Sequence, residues 1–140
     1  MKYSGNQGLD VVNFCEIVLF SFLTGNADMH LKNFSVIYDP AIGPVLSPAY
    51  DMLCTALVNP ADDEDLALTL NGKKKRINRK DFETAFSTLK LDAKQQANLF
   101  SKMEKNRNKW IEFIQISFLS KDFKDKYIQI INDRFERIAK

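Results

Sequence analysis

Apolar residues along this chain recur three and four apart in four stretches and are interrupted by short β-like runs in the first half. From Val11 to about Thr24 the apolar positions Val11, Val12, Phe14, Cys15, Val18, Leu19, Phe22 and Leu23 cover much of a helical circumference, which predicts a buried helix. Asp10 is placed to cap it and Gly25 to end it. "FSVIYDP" predicts a short strand stopped by the Asp39-Pro40 turn, with a second short strand around Val45–Leu46. "LALTL" alternates and ends at Asn71-Gly72, so a hairpin with its return strand over Lys73–Ile77 is expected. Helical spacing then returns. Asn78 and Asp81 form a capping signature ahead of Phe82, Ala85, Phe86 and Leu89. Asp92 and Gln95 open a longer helix to about Phe118, and Ser120 caps a last one striped by Phe123, Tyr127, Ile130, Ile131, Phe135 and Ile138. Residues 1–9 are polar, contain two glycines and read as a mobile N-terminal arm; 10–140 read as one domain. The fold class expected is mainly α with a small β hairpin region.

Composition narrows the class without naming it. With 140 residues, 45% hydrophobic, 27% charged and eleven Phe, the chain has ample material for one core. A net charge of +2 leaves any electrostatic role to local patches. Two cysteines, Cys15 and Cys54, make no disulfide framework and read as small core residues of a reducing compartment. One histidine and two distant cysteines fit no common zinc spacing. "MKYSGNQGLD" lacks an apolar leader core and the longest apolar run carries Glu16, so a cytoplasmic location is expected.

The chemistry concentrates in "TGNADMHLKNFSVIYDP", residues 24–40. Asn26 and Asp28 each suit a turn, and a lone Asp, His or Asn in a loop needs no further explanation. Together, Asp28, His30 and Asn33 make a D-x-H-x-x-N spacing that phosphoryl transfer would use. A carboxylate, Asp28, would accept the proton of an attacking hydroxyl. Oxygen ligands would hold Mg²⁺ against phosphates, a role that suits Asn33 together with a second carboxylate. Asp51 in "SPAYDML" is the better candidate for that carboxylate, because Asp39-Pro40 reads as a plain turn.

"GNADMHLKNFS" followed by "LSPAYDML" closely resembles the C-terminal lobe of HipA-like serine/threonine protein kinases, the toxins of bacterial toxin–antitoxin systems. "LALTLNGKKKRI" is similar to the hairpin these proteins carry after the metal-binding aspartate. Phosphatidylinositol kinases and aminoglycoside phosphotransferases use similar loops, but the longer string favours HipA. The resemblance is strongest over about 20–77 and implies a kinase-like helical C-terminal lobe. It further implies Asp28 as catalytic base, Asn33 and Asp51 as Mg²⁺ ligands on ATP, His30 holding the loop or touching the γ-phosphate, and Lys32 near a phosphate or simply solvated. It implies a protein substrate, by family an aminoacyl-tRNA synthetase, and a HipB-like DNA-binding antitoxin.

A working kinase also needs a glycine-rich loop and a strand lysine, and this chain has no G-x-G-x-x-G; its glycines lie at 5, 8, 25, 43 and 72. The expectation is a lobe with little activity until an N-lobe is supplied in cis or in trans. "GKKKRINRK" gathers Lys73, Lys74, Lys75, Arg76, Arg79 and Lys80 beside the acidic run 62–65. It reads either as a patch for DNA or an acidic partner, or as a solvated hairpin partly neutralised by that acidic run. The rivals to a protein kinase are a non-catalytic regulatory or antitoxin-binding module and a small-molecule kinase of aminoglycoside-phosphotransferase type.

Overall fold

The computed structural model describes residues 4–61 and 63–139. Five α-helices and one two-stranded sheet follow in the order α1 (Gln7–Leu23), β1 (Val36–Asp39), β2 (Gly43–Leu46), α2 (Thr55–Val58), α3 (Arg79–Thr88), α4 (Ala93–Gln115) and α5 (Lys121–Ala139), with one 3-10 turn at Leu31–Asn33. The core lies where α1, α3, α4 and α5 meet. Phe22, Phe82, Phe86 and Phe135 are fully buried there, each worth roughly 1.5–3 kcal/mol of transfer free energy. Phe22 packs edge-on against Phe82 with ring centroids 5.1 Å apart. Trp110 stands edge-on to Phe20 at 5.0 Å and also meets Phe135.

The helical half follows its caps. Asn78 accepts from the Asp81 N–H while the Asp81 carboxylate accepts from the Asn78 N–H, and Asp92 and Gln95 repeat the exchange at the start of α4. The Ser120 carbonyl and Oγ accept from the backbone of Lys124 and Phe123 at the start of α5.

Four expectations change. Helix α1 begins at Gln7, behind Asn6, so residues 7–9 belong to it. Gly5 is bonded to the Pro44 carbonyl at 2.7 Å; residues 1–3 of the expected arm lie outside the described residues. Asp10 sits inside the first turn instead of capping it: buried, it accepts from Ser4 Oγ and, at 3.0 Å, from the Leu46 N–H, which ties α1 to β2. The second hairpin forms its turn but not its strands. Asn71 and Gly72 both take positive φ and Leu70 and Lys73 exchange both backbone bonds, yet beyond that bridge only the Asp65 and Leu66 N–H groups reach across, both to the Lys74 carbonyl, and no ladder forms. Phe123, expected in the core, is 40% exposed, while its partner Tyr127 packs against the core. One further boundary differs, α4 stopping at Gln115, and the short α2 lies in a stretch for which the sequence carried no expectation.

Candidate functional site

The end of α1 sets the loop. Thr24 is the C-cap, Gly25 follows at φ +70°, the Asn26 N–H bonds the Ser21 carbonyl at 2.8 Å and the Gly25 N–H bonds the Phe22 carbonyl at 3.2 Å. This left-handed exit needs glycine, and it turns the chain sharply out of the helix. Asn26, buried, accepts the Asp28 N–H on its side-chain oxygen at 3.1 Å, the turn role expected of it. The loop is then clamped from a distant segment. Thr55 Oγ1 accepts the Ala27 N–H at 2.8 Å and donates to the Gly25 carbonyl, which also accepts the Ala56 N–H. Nothing in the sequence marks Thr55, because its partners lie about thirty residues earlier.

Four of the five site residues come together. His30 Nε2 lies 3.1 Å from Asp28 Oδ1, and both side chains are half-exposed. Asn33 is buried; its amide nitrogen donates to the Asp28 carbonyl at 3.3 Å and to Asp51 Oδ2 at 3.0 Å. Asp51 is exposed and holds φ at +54°. That left-handed backbone is costly for a non-glycine residue, and strain of this kind gathers at functional positions. Hairpin β1–β2 brings Asp51 back. Its register runs from Val36 opposite Leu46 to Asp39 opposite Gly43, and Ser35 and Ser47 extend it with backbone and hydroxyl bonds. Tyr50 closes the return by donating its hydroxyl to the Lys32 carbonyl at 3.0 Å. Lys32 itself is exposed on the 3-10 turn, and no ion pair joins its side chain to the cluster among the described residues. Asp39 serves its turn, accepting from the N–H groups of Ala41 and Ile42.

Chemically, the cluster offers a half-exposed carboxylate steadied by an imidazole, beside an amide and a second carboxylate. The oxygens of Asn33 and Asp51 suit a hard cation that keeps water and phosphate oxygens for its remaining positions, as Mg²⁺ does. No group of three or more His, Cys, Asp and Glu side chains converges among the described residues. The thiols are not poised nucleophiles: burial pushes Cys15 up to about 12 and raises Cys54 too. Beside the cluster, an open cleft of about 690 Å³ runs between α1, α4 and residues 47–52, lined by Phe20, Met52 and Trp110.

The basic segment is largely neutralised. Lys73 pairs with Asp81, Lys74 with Glu64 and Lys75 with Asp63, at 2.8–3.1 Å. Asp62, also in the acidic run, lies outside the described residues. Arg79 pairs with Glu83 and lies over the Phe100 ring. The last acid of the run, Asp65, is buried against α5, bonded to Arg134, Arg137 and the Ile77 N–H, an anchor the sequence does not announce.

Comparison with known proteins agrees with this architecture. The model of the HipA-like C-terminal domain matches residues 1–111, and the chain belongs to that family. Two relatives from Sinorhizobium fredii, named "Putative kinase Y4dM" and "Putative kinase Y4mE", are 56% identical over 46 residues and 41% identical over 54. Those matches take in 33% and 39% of this chain but only 11% and 13% of the relatives. Among solved structures, HipA in the Shewanella oneidensis MR-1 complex of HipA, HipB and operator DNA superimposes with a TM-score of 0.71 at 22% identity. The match covers 91% of this chain and 31% of that one, so the chain corresponds to about a third of a HipA protein. No helix among the described residues is long and apolar enough to cross a membrane.

Proposed function

We propose that this chain is the base- and metal-bearing lobe of a serine/threonine protein kinase that moves the γ-phosphoryl group of ATP to a protein hydroxyl. The observation that carries the reading is the 3.0 Å bond between Asn33 and Asp51, which joins residues eighteen apart beside Asp28. Mg²⁺ bound by the oxygens of Asn33 and Asp51 would neutralise charge on the phosphates. Asp28 accepts the hydroxyl proton as the substrate oxygen bonds to phosphorus and ADP leaves. His30 fixes the direction of the Asp28 carboxylate through their 3.1 Å contact. Lys32, exposed one residue before Asn33, acts at most as a point charge near a phosphate. The grip on the nucleotide from above belongs to an N-lobe. By likeness to the HipA–HipB–DNA complex, we extend the proposal to a HipB-like antitoxin partner, and by family resemblance to an aminoacyl-tRNA synthetase as substrate. A direct DNA contact through Lys73, Lys74, Lys75 and Arg76 would have to break three ion pairs first.

The test is transfer of labelled γ-phosphate in the complete kinase polypeptide that carries this lobe. Asp28→Ala should lower the rate by about 10²–10⁴-fold, Asp51→Ala should abolish Mg²⁺-dependent transfer, and Lys32→Ala should cost less than about tenfold. Unchanged transfer in Asp28→Ala and Asp51→Ala would overturn the reading. A non-catalytic module would instead lose partner binding on charge reversal at Lys73–Arg76. A phosphorylated small molecule as product would point to the aminoglycoside-phosphotransferase type.

A further inference from the structure

Behind the loop that carries Asp28, on the side away from Asp51's return segment, lies a second and smaller cavity of about 310 Å³. Its walls come from α1 (Phe14, Ser21), from α3 (Ala85), from the Asn71-Gly72 turn segment (Leu70) and from the loop itself (Met29, Phe34). The lining is mainly apolar; of its polar residues other than Ser21, Thr84 and Thr88 return their hydroxyls to the carbonyls of Lys80 and Thr84, the Asn71 amide is bonded to Asp81, and Thr69 is exposed. Ser21 is fully buried, and its Oγ has no hydrogen-bond partner among the described residues. A serine within a helix ordinarily returns its hydroxyl to the carbonyl one turn back. Thr24, three residues on, does so to Phe20 at 2.8 Å. An unpartnered buried hydroxyl costs roughly 1–3 kcal/mol, so its retention in an apolar wall calls for a partner.

We infer that this cavity is a binding site for a small, mainly apolar molecule carrying a single hydrogen-bonding group that meets Ser21 Oγ. The volume suits it: an apolar cavity of about 150 Å³ takes up benzene, and this one is about twice as large. A bicyclic aromatic with one ring N–H matches both the volume and the unpartnered Ser21 hydroxyl. The site reports on the loop because two of its wall residues, Met29 and Phe34, directly follow Asp28 and Asn33. Phe34 meets Phe14 in a tilted ring contact at 5.0 Å. Occupancy would therefore brace the loop from behind. The inference does not depend on the kinase reading.

The probe pair is indole and indene, which share a shape and differ in the N–H. Each is titrated into the ¹⁵N-labelled chain and followed by amide chemical shifts. Indole should give saturable shifts centred on Met29, Phe34, Leu70 and Ala85, and indene should bind about tenfold more weakly. Ser21→Ala should erase the difference between the two while leaving the unliganded spectrum nearly unchanged. Thr88→Phe, placed at the exposed rim, should weaken both probes. The proposal fails if neither probe saturates, if the shifts centre elsewhere, or if indole and indene bind equally to the native chain.

Discussion

Asp65 shows how much a single carboxylate holds. It joins the loop before the Asn71-Gly72 turn to α5 through Arg134 and Arg137, and it also takes the Ile77 N–H at 2.9 Å. Arg134 and Arg137 in turn stack over the Phe22 ring. Removing the carboxylate leaves two guanidinium groups without their partner in a mostly buried setting. Asp65→Ala should therefore lose about 3–5 kcal/mol in urea unfolding. Glu83→Ala, which breaks a surface pair with Arg79, should lose less than about 1 kcal/mol. Burial alone would raise the Asp65 carboxyl; the bond from Arg137, the Ile77 N–H and the two arginine charges outweigh it and hold it below the usual value. Its contribution is then complete above about pH 4, the ordinary carboxylate range, and is lost as pH falls through the lower folded value. Stability of the native chain should fall below about pH 4, and Asp65→Asn should flatten that acid limb. The flattening should be partial, because Asp81 is lowered in the same sense: Lys73 and Asn71 outweigh its burial. The candidate cluster of Asp28, His30 and Asn33 was readable in the sequence because its spacing is local: the three share one loop. Asp65 was not readable, since its partners lie some seventy residues later and an acidic run looks solvated on its own.

The helices and strands divide along the same line. The helices α3, α4 and α5 were readable from caps and spacing, because their signals lie within one turn of each boundary. The hairpin expected over residues 66–77 was not. Its alternation is present, but Arg76 takes φ +55°, and the carboxylates of Asp65 and Asp81 occupy backbone N–H groups at Ile77 and Asn78. Side chains thus take N–H groups at the base of the return arm that a ladder would use, and the backbone bonds left are those at Leu70–Lys73 and from Asp65 and Leu66 to the Lys74 carbonyl. The exit of α1 offers a test of how tightly packing constrains an element's end. Gly25 and Gly72 both sit near φ +70°, so alanine at either position meets the same left-handed penalty of about 1–2 kcal/mol. A Cβ at Gly72 would meet nothing within 4 Å. At Gly25 it would lie 3.0 Å from Cys54 Sγ and Ile130 Cγ2 and 3.2 Å from Ala56 Cβ. Gly25→Ala should accordingly cost about 1–3 kcal/mol more than Gly72→Ala in thermal or urea unfolding. Equal losses would mean that α2 and α5 yield to the loop, and that Thr55 and Ala56 do not clamp it as their bonds suggest.

The surface around hairpin β1–β2 is more apolar than a lone domain of this size needs. Val36 and Tyr38 share one face of β1 and are 66% and 78% exposed; Ile37 and Ile42 are about half exposed, and Leu31, on the loop beside His30, is 71% exposed. The outer edge of β1 has no ladder partner, whereas that of β2 is taken up by Gly5 and Asp10. Scattered apolar residues on a surface need no explanation, but several on one short hairpin form a patch that water disfavours. In the HipA protein that this chain superimposes on, the match covers 31% of the length, so the corresponding lobe is part of a larger polypeptide. The 140-residue chain on its own should cover this patch by pairing hairpin to hairpin with a second copy. Sedimentation across a concentration series should show reversible dimer formation that high salt does not weaken, since the contact is apolar. Val36→Lys with Tyr38→Lys should shift the chain to monomer without lowering its melting temperature, because both side chains face solvent. Dimerisation that salt dissolves would assign the contact to the charged segment around Lys73–Lys75 instead. A chain that stays monomeric throughout would mean that the hairpin's apolar residues are each adequately hydrated, and that the face beside Asp28 and Asp51 is open in solution.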